Sequence, residues 1–265
     1  MKKNTKIFLL AAVLSTTFAG LFMGVQFASA GEEGSKKAVS TDSDSPTIEQ
    51  AKLIIEHNAA DEDTGFQGFV DGDGWNRMTL TGPDGRQLDF KAKGELGQLG
   101  LTELFFETVE PENADVPISE ILETLPEGDY TYESTGIEVG EKLGKASATA
   151  LLTHDIPAAP ELLTPEEDEE VPVDDLLVSW EPVDKTIDGR DVNIIAYQLI
   201  IEKDEDPHPN MIGTFGLSMY LPPDVTEITI PGEFFEPGTD YEWELLAIEE
   251  SGNQTINSSS FSTQD

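Results

Sequence analysis

The chain has 265 residues, sets 53 Asp and Glu against 15 Lys and Arg for a formal charge of −38, and contains no cysteine. Such a surplus of acid excludes a protein that grips nucleic acid or anionic lipid through Lys and Arg. The lack of cysteine excludes disulfide scaffolds, thiolate metal centres and thiol catalysis, while 38% apolar residues suffice for folded cores at a length suited to two domains.

Residues 1–30 read as a secretory signal peptide. Lys2, Lys3 and Lys6 precede a mostly apolar stretch from Ile7 to Phe27, and Ala28-Ser29-Ala30 supplies a small-residue cleavage site. Thr16, Thr17, Gly20, Gly24 and Gln26 dilute a stretch that otherwise approaches membrane-spanning length. Removing it leaves 12 basic residues against 53 acidic ones, a charge of −41. The expectation is an exported protein, periplasmic or secreted, with no membrane span after cleavage. Residues 31–47 are small and polar and read as a flexible linker.

Residues 48–153 read as an N-terminal β-sandwich. Ala51–His57 is an apolar strand, followed by a seven-residue strand from Thr64 to Val70. Gly82-Pro83-Asp84-Gly85 joins strands at 75–81 and 86–93 as a hairpin. Another strand covers Leu101–Val109. The segment Pro117–Leu125 is the one predicted helix, with Ile118, Ile121, Leu122 and Leu125 on a face. Strands beginning at Pro126 and spanning Ala146–Thr153 complete the unit.

Residues 157–265 carry short apolar runs separated by turn residues, the pattern of a second sandwich. Strands are predicted at 176–180, 194–201, 226–230 and 242–248, with a last one ending at Thr263. Tyr197, Leu199 and Ile201 share one face by the two-residue period, as do Tyr241 and Trp243. The acidic run Glu166–Glu170 and the stretch Asp204–Gly213 read as extended loops.

These residues carry a resemblance. Pro157, Pro160, Trp180 before Glu-Pro, Tyr197, Pro237-Gly238-Thr239-x-Tyr241 and Gly252-Asn253 together resemble a fibronectin type III domain. That resemblance implies a buried Trp between two sheets and a corner Tyr bonded back to the chain. In the N-terminal half, Pro126-Glu-Gly-x-Tyr130 is similar to the strand openings of prealbumin-like and other Ig-like sandwiches. The two halves together resemble exported bacterial proteins with a C-terminal fibronectin type III domain. The expected fold is therefore all-β, with two sandwiches in tandem and one short helix.

Candidate chemistry is sparse. The three histidines, His57, His154 and His208, fall in no metalloprotease, phosphate-loop or nucleophile-elbow motif. The cluster Asn58, Asp61, Asp63, Asp71 and Asp73 offers the oxygen ligands that suit calcium, though Asp71-Gly-Asp-Gly74 is an equally good turn. A strand between the two groups holds its ends some 20 Å apart, which argues against one shared ion. No other cofactor is implied. The expected function is that of a non-enzymatic binding or spacer module of the cell envelope, recognising a protein or polysaccharide through sandwich-end loops. The alternative is a hydrolase with a cleft near His154 and Asp155. Oligomeric state is not legible.

Overall fold

The computed structural model describes residues 46–138 and 141–265. The signal peptide and nearly all of the linker lie outside the described residues. Strand accounts for 55% of the structure and helix for 6%, so the fold is all-β. The elements run β1 (Ile48–Asn58), β2 (Asp63–Thr81), β3 (Gln87–Lys91), β4 (Leu101–Glu107), α1 (Ile118–Thr124), β5 (Gly128–Glu138) and β6 (Glu141–Leu152). They continue with β7 (Leu162–Thr164), β8 (Glu169–Val171), β9 (Leu176–Trp180), β10 (Ile194–Lys203), β11 (Gly216–Leu221), β12 (Glu227–Ile230), β13 (Asp240–Glu249) and β14 (Gln254–Thr263).

In the C-terminal half, the three-stranded sheet β12-β9-β7 faces the sheet β11-β10-β13-β14. Alternation along β10 and β13 sends Tyr197, Leu199, Ile201, Tyr241, Trp243 and Leu245 inward, where each is at most 1% exposed. Trp180 lies edge-on to Tyr197 with ring centroids 5.6 Å apart. The Tyr241 hydroxyl accepts a hydrogen bond from the Glu236 amide at 2.8 Å, closing the corner five residues upstream. Both features match what the fibronectin type III resemblance implies. The acidic run is not purely a loop, because β8 within it pairs in parallel with the end of β14. Glu167 anchors it, accepting hydrogen bonds from the Ser259 and Ser260 hydroxyls.

The N-terminal half is organised by β2, and here the sequence expectation needs correction. Asp71-Gly-Asp-Gly74 is neither loop nor turn but part of one 19-residue strand. Residues 63–72 pair with β1 and residues 75–81 with β5, the register slipping between. The glycines permit this: a Cβ on Gly72 would lie 2.4 Å from the Thr47 carbonyl oxygen, and one on Gly74 2.5 Å from that of Ile137. No side chain fits where two neighbouring backbones approach so closely. The core beneath holds Trp75, Met78, Tyr132, Leu53 and Ile55, with α1 packed over it. Trp75 is 2% exposed, a core residue rather than a surface platform.

The two halves are not strung as separate beads. β14 pairs in parallel with β1, through Glu56↔Gln254, His57↔Thr255 and Asn58↔Ile256, so one sheet crosses both. Asn253, 1% exposed, fastens the junction. Its Oδ1 accepts from the Ile55 amide at 2.8 Å, and its Nδ2 donates to the Thr153 carbonyl at 3.0 Å. The Thr255 hydroxyl donates to the Pro157 carbonyl at 2.6 Å, and Arg190 pairs with Asp155. Asn253→Ala would leave a buried amide and a carbonyl unpartnered. It is expected to cost about 1–3 kcal/mol, read as a lower denaturation midpoint with an unchanged slope.

Candidate functional site

The continuous sheet has one face that belongs to neither core. Pairing aligns Gln198 with Leu246, Leu246 with Ile256 and Ile200 with Glu244 in the C-terminal half. Across the junction it aligns Glu56 with Gln254, Ile54 with Gln67, Gln67 with Glu107 and Phe69 with Phe105. All these side chains project to the same side of the sheet. They line a groove of about 830 Å³ that runs over the junction, with Tyr220, Ile195 and Leu151 at its margins. Its floor is aliphatic: Ile200, Leu246 and Ile256 form a cluster of their own with Ile248, apart from the two main cores.

Carboxylates interrupt that floor. Glu56, 4% exposed, accepts hydrogen bonds from the Gln67 and Gln254 side-chain amides. Oxygens of Glu56, Glu107 and Glu110 all lie within 4.8 Å of one another. Burial, then the neighbouring negative charge, makes ionisation costly there. The Glu56 carboxyl is pushed up to about 7 and that of Glu110 to about 8. Across the groove the Glu244 carboxyl reaches about 7, again chiefly through burial, with Glu242, Glu202 and Glu56 adding repulsion. Asp63 is raised to about 6, and its Oδ1 is buried without a hydrogen-bond partner. Among the described residues, Lys52 is the one basic residue on the lining.

The residues singled out from the sequence fall in two places. Asn58 closes β1, its Oδ1 accepting from the Ala60 and Asp61 amides while its Nδ2 donates to Asp61 at 3.1 Å. Asp63 opens β2 beside the groove acids. Asp71 and Asp73 lie about 26 and about 33 Å further along the same strand, at about 3.3 Å per residue. There Asp73 accepts from the Thr47 amide at 2.8 Å and from its hydroxyl at 2.9 Å. Strand extension thus keeps the two groups apart. The gathered acids are Glu56, Glu107 and Glu110, which the sequence reading did not select. One signal was present: Glu56 is the sole acid in Leu53-Ile-Ile-Glu-His57, an unusual place for a charge.

His154 and Asp155 are engaged in the junction. The His154 Nε2 sits 2.7 Å from the Leu125 carbonyl oxygen, its amide donates to Glu127, and the Asp155 carboxylate pairs with Arg190. His57 turns inward, its Nδ1 3.0 Å from both the Asp63 carbonyl and the Thr64 hydroxyl, and burial lowers its basicity.

No family model and no curated protein matches the sequence. Among solved structures, the chain is similar to the FN1–FN3 domains of chicken CNTN1, at 10% identity over 83% of this chain and 67% of that one, with a TM-score of 0.31. It is also similar to a two-domain fibronectin type III segment of chicken tenascin, at 11% identity over 82% and 99%, with a TM-score of 0.28.

Proposed function

We propose that this protein is an exported, non-enzymatic binding or spacer module of the cell envelope, holding a protein or polysaccharide rather than transforming one. The observation that carries the proposal is the groove over the junction: a preformed concave surface with an aliphatic floor interrupted by carboxylates, on one continuous sheet. Such surfaces bind by complementarity and need no moving parts. Loops extend the contact area. The β10–β11 connection carries Ile212 at 81% exposure and Phe215 at 58%, the latter with the Lys203 ammonium 5.3 Å from its ring centre. Among the described residues no helix is long and apolar enough to cross a membrane.

The engagement of the His154 ring nitrogen with a backbone carbonyl supports binding over the hydrolase alternative. Calcium remains part of the proposal as an ion for the acids where β1 turns into β2, Asn58, Asp61 and Asp63, or for Asp71 and Asp73 further along β2. The test is retention of envelope components on the immobilised protein, with and without a calcium chelator, beside an esterase, glycosidase and peptidase screen. A component eluted chemically unchanged is expected. Turnover that disappears in His154→Ala would overturn the reading.

A further inference from the structure

The outer face of a solvated sandwich sheet alternates apolar-in with polar-out. β10 and β13 break that rule, since Ile200, Leu246 and Ile248 point away from the core that Leu199, Leu245 and Ala247 fill. The charged groups around them are mostly carboxylates, Glu244 beside Ile200 on the paired strand and Glu56 and Glu107 across the junction, against the single cation Lys52. Aliphatic floor and clustered acid together restrict what can lie there. A lone cation would answer the acids and leave the floor wet. A neutral sugar chain would bring no positive charge to offset the cost of ionising these acids. A second copy of a chain with charge −38 would set acid against acid. Nucleic acid and anionic lipid are repelled for the same reason.

From this complementarity we infer that the groove docks a basic, aliphatic-rich segment of another protein, its Lys or Arg side chains against Glu107 and Glu244 and its apolar side chains on Ile200, Leu246 and Ile256. The inference rests on the binding-module reading and names the partner class. An extended segment suits it, because alternate residues then present two chemistries at the spacing that the sheet itself repeats.

The experiment is calorimetric titration of the full chain with a short peptide of alternating lysine and valine. The control is a lysine-only peptide of equal charge. The mixed peptide is expected to bind about tenfold or more tightly than the control, and to keep part of its affinity at about 0.5 M salt, where charge alone is screened. Glu244→Gln and Glu107→Gln should each weaken it several-fold. So should Ile195→Ser and Tyr220→Ala, changes at exposed margins that leave the core intact. Glu227→Gln, an exposed acid on the opposite sheet, should change nothing. Equal affinity for both peptides, or equal loss in Glu227→Gln, would show diffuse charge attraction and overturn the groove assignment. Absence of binding with the peptide recovered whole would overturn it too, while leaving the module reading standing. Cleavage of the peptide would instead sink the module reading itself.

Discussion

The melting temperature should rise by at least about 6–10 °C when the pH is lowered from about 8.5 to 5. The cause is the set of buried carboxyls in the groove. An acid whose folded pKa stands above its unfolded value takes up a proton on folding, so stability is greatest where both states are protonated. It is then lost as pH climbs from the unfolded value toward the folded one. For Glu56 that window runs from 4.5 to about 7, worth about 3 kcal/mol at 1.36 kcal/mol per pH unit. At about 2–4 °C per kcal/mol for a chain of this size, Glu56 alone accounts for the stated rise. Glu244 and Glu110, raised to about 7 and about 8, act in the same direction. Carboxyls held low, such as Asp89 beside Arg77 and Asp191 beside Lys185, oppose the trend only at more acidic pH. Glu56→Gln should remove its share of the dependence and leave that of Glu244 and Glu110, and differential scanning calorimetry at both pH values checks it. A melting temperature that falls on acidification would contradict the burial of these groups.

Trp180→Ala is expected to destabilise the protein by about 3–5 kcal/mol, the cost of removing a large side chain from a closed core. Trp180 is 2% exposed, on the central strand of the three-stranded sheet, and meets Tyr197 from the opposite sheet. The Tyr197 hydroxyl is fixed in turn, accepting from the Val183 amide at 2.8 Å. Truncation therefore opens a void that the neighbouring ring is held from filling. Urea denaturation followed through the remaining tryptophans measures the loss; a midpoint equal to that of the parent would place Trp180 outside the core.

What the sequence disclosed depends on whether the deciding interaction is local. Period-two alternation and the Pro237–Tyr241 corner act over a few residues, and they located β9, β10, β12 and β13 with the faces of Tyr197 and Trp243. The short helix was legible for the same reason, from Ile118, Ile121 and Leu122. The Asp71–Gly74 segment misled because glycine beside aspartate favours a turn locally. The approach of Thr47 and Ile137, distant in the chain, makes it a bent strand instead. The groove is less local still, since it depends on β14 lying beside β1. One clue was nevertheless written in β13. The unbroken run Leu245-Leu-Ala-Ile248 implies cover on both faces, which only a site or a partner can provide on the outer one.

The alignment of β1 with β14 also orders the events of synthesis. As the N-terminal half leaves the ribosome, the Glu56–Asn58 segment has β2 on one flank and an open edge on the other. The amide of Ile55 waits for Asn253, 198 positions downstream. Open strand edges recruit whatever strand is near, so the unfinished chain is most vulnerable to wrong pairing at this spot. If the chain is exported unfolded, as the proposed envelope role would have it, folding all at once would shorten that exposure to the time the whole polypeptide needs to cross.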